Sequence, residues 1–192
     1  MAVREAKELF YQHNPYPGKA LENHNIRIGH FAAALAHRAG LGLDSDLLWT
    51  GCYLHDFGLL VNGTKVGLPE LDSEPLYLRR SWLAVRGLVE TWGLSGSQQE
   101  ELRDILLYNH GFLPQRRIAP IAELVRKAVH VEHSRGFIRN GLSRAFCKGI
   151  FRDHPRLDLT PILLDFARIA VLEDGPAQLL PMFFPGPSIS RD

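Results

Sequence analysis

The sequence predicts an all-α fold. Apolar residues recur every three or four positions in successive segments, and no stretch alternates apolar and polar residues between hairpin turns. With 192 residues, 45% of them hydrophobic, the chain has enough apolar material for one core, since a domain of this size buries about 70% of its surface. We therefore expect a single compact helical domain over 1–192. Its core is expected over about 19–136, with C-terminal helices and a proline-rich tail over 137–192.

Start and stop residues delimit the first two predicted helices. The first runs from about Lys19 to Ala39, because its apolar residues share one helical face and Gly40 follows as a stop signal. The second begins at Asp44-Ser45-Asp46, whose side-chain oxygens can cap free backbone N–H groups, and is expected to end near Gly58. Glycine, asparagine, proline and aspartate dominate 61–74, which predicts a loop of a length that often carries function.

Proline, serine and glycine delimit the later helices in the same way. Proline suits the first turn of a helix, serine caps its start, and glycine ends it. These signals predict helices from Pro75 to Trp92, from Ser95 or Ser97 to Gly111, from Pro120 to Gly136, from Ser143 to Arg152, and from Pro161 to Val171. The tail after Gly175 contains an apolar cluster that we expect to pack on the helical body or on a second subunit: Leu179, Leu180, Met182, Phe183 and Phe184.

Charge and cysteine content restrict the class of protein. The 22 Lys and Arg nearly cancel the 21 Asp and Glu, leaving a formal charge of +1, so we expect no nucleic acid partner. Cys52 and Cys147 form no close pair, which argues against a disulfide framework. No run approaches the ~20 apolar residues that span a bilayer, and the N-terminus does not resemble a secretory signal. These features predict a cytoplasmic protein with no membrane partner; a homo-oligomer stays open.

The placement of the nine histidines points to a metal site. His55 and Asp56 stand together at the end of an apolar helix, where an unpaired charge would be costly to bury. A bound cation is a natural partner for this pair. One dipeptide rarely completes a cation site, and His24 opens a helix whose apolar face continues from it into the core. We therefore expect a divalent metal ion on His24, His55 and Asp56.

These elements resemble the HD-domain superfamily of metal-dependent phosphohydrolases. The pattern of that superfamily is a lone His opening a helix, a His-Asp pair ending the next, and an Asp on a later helix. His24 and His55-Asp56 match the first two elements, and the resemblance covers about Leu21 to Gly136. It implies a helical domain of the HD type and hydrolysis of a small-molecule, anionic substrate, a phosphate ester or nucleotide-like compound, by metal-activated water.

The third element departs from the pattern. The segment 124–136 resembles the closing element of the family, but Val129 stands where the metal-binding Asp is expected, and valine cannot coordinate a cation. Glu132 and His133 follow three and four residues later and share a helical face with position 129. Either residue could substitute for the carboxylate, or the site holds metal weakly or not at all. Both also fit a solvated helix face.

The resemblance and the residue types assign further roles. His110 lies in a segment that resembles one in which the family carries a His facing the site, although a His before Gly111 also fits a capping role. His110, Glu132 or His133 is the expected proton carrier. Lys65 or one of three basic pairs would hold an anionic substrate: Arg79-Arg80, Arg116-Arg117 or Arg126-Lys127. The pairs also fit a solvated helix face.

Other reactions stay open at this point. The loss of the Asp at position 129 would suit a degenerate member that works without metal, as an isomerase, cyclase or lyase, or that only binds a small ligand. The same scaffold is used, by resemblance, for nitrile hydration and for di-iron oxygenation. The second of these usually needs additional His ligands after the His-Asp pair, and none occurs between Asp56 and His110.

Overall fold

The computed structural model describes residues 1–61, 68, 71, 74, 76–114 and 117–174, and within these ranges the regular secondary structure is helical, without a strand. The all-α prediction is confirmed. Lys65 and the apolar tail cluster lie outside the described residues. None of the described helices is both long enough and apolar enough to cross a membrane. The helices are α1 (Ala2–His13), α2 (Ala20–Ala39), α3 (Ser45–Leu54), α4 (Phe57–Leu60), α5 (Tyr77–Val89), α6 (Gly96–Tyr108), α7 (Pro120–His133), α8 (Arg144–Asp153) and α9 (Leu159–Asp174).

Helix α2 is the centre of the structure. It packs along α7 and also contacts α3, α8 and α9. Because neighbours cover it on several sides, its buried residues include Ile28 and Phe31 of the core but also the polar His24 and Arg27, each fully buried. A helix surrounded in this way can hold functional side chains away from water.

Helix α1 was not predicted from the sequence. It packs against α3 through Ala2, Ala6 and Phe10, which are buried and spaced four residues apart. The Phe10 ring lies 5.8 Å from the Tyr53 ring of α3. Two of the three buried residues are alanines among charged neighbours, so the apolar signal of this helix is weak in the sequence.

The predicted second helix is divided in two, and the division falls at His55–Asp56. The His55 carbonyl accepts hydrogen bonds from the side chains of Asn109 (3.3 Å) and Ser81 (3.5 Å), while Leu59 N–H bonds to Asp56 instead. In a continuous helix the His55 carbonyl would accept from Leu59 N–H. Here Asn109 and Ser81, from other helices, donate to it instead. Successive residues of a continuous helix point about 100° apart. The break lets the adjacent side chains of His55 and Asp56 approach each other instead, with Nε2 and Oδ2 3.1 Å apart.

Several predicted start signals are confirmed by hydrogen bonds. The Asp44 side chain accepts from Leu47 N–H at 3.0 Å, Ser95 forms a reciprocal cap with Gln98, and Ser143 accepts from Phe146 N–H at 3.1 Å. The last helix begins two residues before the predicted Pro161, at Leu159. Proline is then in the first turn, where its missing N–H has no helical partner to lose.

At Gly58, α4 approaches the backbone of α5 closely. A Cβ at this position would lie 2.0 Å from the Tyr77 carbonyl oxygen and 2.7 Å from the Ser81 nitrogen. The Gly58 N–H donates to the Ser81 hydroxyl at 2.8 Å. Both neighbouring atoms belong to backbone, so they cannot move aside as a flexible side chain would.

We expect Gly58→Ala to lower the free energy of unfolding by about 1–3 kcal/mol, because the added methyl group forces α4 away from α5. Gly87→Ala is the matched control, since a Cβ on this exposed glycine of α5 meets nothing within 4 Å. It should raise stability by about 0.5–1 kcal/mol through helix propensity. Chemical denaturation of both variants checks this, and equal stabilities would contradict the close approach.

Candidate metal centre

Three predicted metal ligands converge from α2 and from the break after α3. His24 Nε2 lies 3.3 Å from His55 Nε2 and 3.6 Å from Asp56 Oδ2, and His55 Nε2 lies 3.1 Å from the same carboxylate oxygen. His24 and His55 are fully buried and Asp56 is nearly so. We call these three residues the ion site.

The spacing of the three donor atoms fits a single metal ion. Donors at about 2.0–2.2 Å from one ion lie about 2.8–3.6 Å from each other in octahedral or tetrahedral geometry. The three separations of 3.1, 3.3 and 3.6 Å fall within that range. Two imidazole nitrogens and one carboxylate oxygen are also the donor set of many catalytic zinc and iron sites, which leave further positions open.

The backbone contact of His55 decides which ring nitrogen donates. His55 Nδ1 lies 2.8 Å from the Cys52 carbonyl oxygen, which can only accept, so Nδ1 carries a proton, and in the neutral imidazole Nε2 presents a lone pair to the site. His24 Nε2 faces that lone pair at 3.3 Å. Two lone pairs at this distance repel, so a proton or a cation must lie between these nitrogens.

Without a cation, the nearby carboxylates favour that proton. Burial opposes the charge on His24, but Glu132 and Asp56 outweigh it and raise the pKa of His24 to about 8. Burial alone would also raise the pKa of Asp56, yet the neighbouring His55 and His110 hold it well below its ordinary value. The ion site is therefore built around a permanent anion.

His110 lies directly beside the ion site. Its Nε2 is 2.9 Å from Asp56 Oδ1, the oxygen that does not face His24 and His55. Asn109, the preceding residue, donates its amide hydrogens to the carbonyls of Ile105, Leu106 and His55. The last turn of α6 thus fixes His110 and the break at His55 together.

Glu132 brings the second carboxylate to the cluster. Its Oε2 lies 3.1 Å from His24 Nδ1, whereas Val129, at the position where the family pattern predicts an Asp, is 1% exposed and packs in the apolar core. Glu132 Oε1 is held by Arg27 (2.7 Å) and Arg156 (2.6 Å). The structure therefore supplies a carboxylate near His24 from one helical turn beyond position 129.

His133 completes the ring of histidines. Its ring lies 5.5 Å from that of His24 and 5.2 Å from that of His110, and its Nε2 is 3.8 Å from Glu132 Oε2. Its side chain keeps 27% of its surface exposed, so it lies at the opening of the cluster. Burial and the nearby His110 and His24 lower the pKa of His133 to about 3.

Three further residues lie around the histidines and the two carboxylates, and the sequence pattern did not single them out: Arg27, Arg156 and Tyr77. Arg27 follows His24 by three residues, so helical spacing places both on one face of α2, but the pattern does not show which partner the arginine takes. Arg156 lies outside the segment that carries the family resemblance. The buried Tyr77 ring lies 5.9 Å from His110, and burial together with the Asp56 charge raises the pKa of Tyr77 well above its ordinary value.

Two of the predicted anion-binding groups serve structural roles. Arg126 is buried and donates to Glu123 and to the carbonyls of Gly111 and Phe112. Arg79 pairs with Glu74 at 3.2 Å. Lys65 and Arg116 are not among the described residues.

No protein-family model matches the chain, and no curated protein matches it either.

The low pKa of His133 predicts a pH dependence of stability. The unfolded chain binds a proton at His133 near pH ~6.5, whereas the folded chain does not until about 3. Between these two pKa values the unfolded state holds more protons than the folded state. The free energy of unfolding therefore falls as the pH drops from ~6.5 toward about 3. In metal-free protein, the loss of Tm between about pH 7 and 5 should be smaller for His133→Asn than for wild type. Equal losses would contradict this assignment.

Proposed function

We propose that this protein is a metal-dependent hydrolase of the HD type that acts on a small anionic substrate, a phosphate ester or nucleotide-like molecule. The observation that carries the proposal is the convergence of His24 Nε2, His55 Nε2 and Asp56 Oδ2 at the separations expected around one divalent ion. The order of these residues along the chain supports it independently, because it resembles the HD-domain pattern.

A divalent ion bound here would supply a Lewis acid and a water nucleophile near neutral pH. The protein residues around it would position groups and move protons. His110 is the first candidate to carry a proton, because Asp56 orients its ring at 2.9 Å and would stabilise the imidazolium that forms. His133, the other histidine predicted for this role, is less suited to it, because its pKa of about 3 keeps the ring neutral near pH 7.

Glu132 is poorly suited to carry protons. Burial would raise its pKa, but His24, His133 and Arg27 together hold the pKa of Glu132 far below its ordinary value. It therefore stays anionic near neutral pH, where a general acid or base must change its charge.

The charge balance of the cluster favours an anionic substrate. Asp56 and Glu132 contribute two negative charges, and Arg27 and Arg156 balance them with two positive charges. A divalent ion would then leave a net positive centre in a poorly hydrated site, where attraction for an anion is strong. Phosphate groups fit this requirement, as the family resemblance implies.

The proposal predicts stoichiometric metal binding. Wild-type protein should bind one Mn²⁺, Co²⁺ or Zn²⁺ ion per chain, and His55→Gln and Asp56→Asn should lose it. His37→Gln is the matched control, because His37 is an exposed histidine on α2. Isothermal titration with each metal alone checks this, with circular dichroism to show that the variants are folded. Equal affinity in the ligand variants and the control would contradict the ion site.

The proton carrier is tested by activity with retained metal. We expect His110→Asn to lower kcat on p-nitrophenyl phosphate or a nucleotide panel by about 10²–10⁴-fold, because proton transfer is lost. Its metal content should stay at one ion per chain. Unchanged kcat in this variant would rule out His110 as the proton carrier.

A metal-free acid–base enzyme is the second candidate, and one observation favours it. Two imidazole–carboxylate pairs, His110–Asp56 and His24–Glu132, lie in one buried cluster and could exchange protons without a metal. A strong chelator separates the two candidates. It should abolish activity of the hydrolase, and addition of metal should restore it; full activity with the chelator present would favour the metal-free enzyme.

A further inference from the structure

We propose that Glu132 is a positioning residue for His24 and not a ligand of the ion, and that the linker 154–156 holds it in this role. The inference builds on the proposed ion site, but it concerns a contact between His24 and Glu132 that is present without a metal ion. It assigns to the carboxylate that follows Val129 a different task from the metal-binding Asp that the sequence pattern predicts.

One oxygen of Glu132 is fully used by arginines. Oε1 accepts from Arg27 Nη2 at 2.7 Å, from Arg27 Nε at 3.2 Å, and from Arg156 Nη1 at 2.6 Å. Three charged N–H donors leave this oxygen no lone pair for a metal ion. A divalent cation at this carboxylate would also lie close to two guanidinium groups, and this repulsion is strong where water is excluded.

The other oxygen lies beside the outer nitrogen of His24. Glu132 Oε2 and His24 Nδ1 are 3.1 Å apart, and both are buried atoms without a hydrogen-bond partner among the described residues. An Nδ1–H donated to Oε2 satisfies both atoms at once. It also keeps a proton on Nδ1, so that Nε2 is the nitrogen available to an ion shared with His55 and Asp56.

This arrangement gives the two imidazoles of the ion site the same tautomer. His55 donates Nδ1–H to the Cys52 carbonyl at 2.8 Å, and His24 donates Nδ1–H to Glu132. Metal-bound histidines in proteins commonly donate their second nitrogen to a carboxylate or carbonyl, and such partners change metal affinity by about 10–100-fold.

The linker between α8 and α9 holds Glu132 in place. Arg156 Nη1 also donates to the Glu132 carbonyl at 3.0 Å. The two preceding residues are held by α2, because Arg27 donates to the His154 carbonyl at 2.8 Å and Asn23 donates to the Pro155 carbonyl at 2.9 Å. Three consecutive linker residues thus contact the helices that carry His24 and Glu132. Residues beyond 136, outside the family resemblance, are therefore part of the architecture of the ion site.

The Glu132→Gln variant tests the role of the carboxylate. The amide group has a single oxygen, and the two arginines require it. The N–H₂ group would therefore face His24 Nδ1. Because two donors cannot pair, the proton of His24 would move to Nε2, the nitrogen that should bind the ion. We expect the affinity for Co²⁺ to fall about 10–100-fold. At saturating Co²⁺ the visible absorption bands should match those of wild type, because the ligand set is unchanged. Shifted bands would show that Glu132 is a ligand and would overturn the proposal.

Glu123→Gln is the matched control. Glu123 lies on the same helix and pairs with Arg126 at 2.7 Å, as Glu132 pairs with Arg27, but it does not contact the ion site. Its Co²⁺ affinity should equal that of wild type. A comparable loss in both variants would show a general effect of removing an arginine partner from α7 and would overturn the positioning role.

A measurement on wild-type protein does not depend on the folding of any variant. In Zn²⁺-loaded wild-type protein, ¹⁵N NMR of labelled histidines should show His24 bound to the ion through Nε2 and carrying a proton on Nδ1. The opposite tautomer overturns the positioning role. Failure of wild-type protein to bind Co²⁺ would instead overturn the proposed hydrolase, so the two failures are distinguishable.

Discussion

Burial of two carboxylates beneath the central helix is the constraint on which the rest of the structure depends. Asp56 and Glu132 are both shielded from water, and each needs cationic or hydrogen-bonding partners to stay charged there. Removing a partner from a buried ion pair typically costs about 3–5 kcal/mol, because an uncompensated charge remains. The arginines and histidines around the two carboxylates therefore serve stability and site geometry together.

The two carboxylates are compensated in different ways, and this difference separates their roles. Glu132 is paired with the permanent cations Arg27 and Arg156, so its charge is balanced at every pH near neutrality. Asp56 is paired with three histidines, at 2.9–3.6 Å. Histidines, unlike arginines, are not permanent cations, so Asp56 is the carboxylate that needs one. The proposed ion would meet that need.

Backbone hydrogen bonds explain why the ion site forms where it does. The His55 carbonyl bonds to side chains from α5 and α6, which ends α3 and turns Asp56 toward His24. The close approach of α4 to α5 at Gly58 fixes the chain immediately after this turn. Packing of three separate helices thus determines the direction of two adjacent side chains.

The sequence by itself determined the helical class and most helix starts, because these depend on local chemistry. Capping by Asp44, Ser95 and Ser143 needs only a hydrogen bond within one turn, and the apolar period of α2 identifies its buried face. The sequence also identified His24, His55 and Asp56 as a group, since their types and order follow a known pattern. It missed α1, whose alanines carry little apolar signal.

Only the tertiary structure decided how the second carboxylate is used. Glu132 and His133 were both candidates in the sequence, and neither their spacing nor their types showed which atoms would meet His24. Arg27 and Arg156 both donate to Glu132, although they are far apart in the chain. Such a pairing leaves no local pattern, because it arises from the packing of α2, α7 and the linker 154–156 around one buried charge.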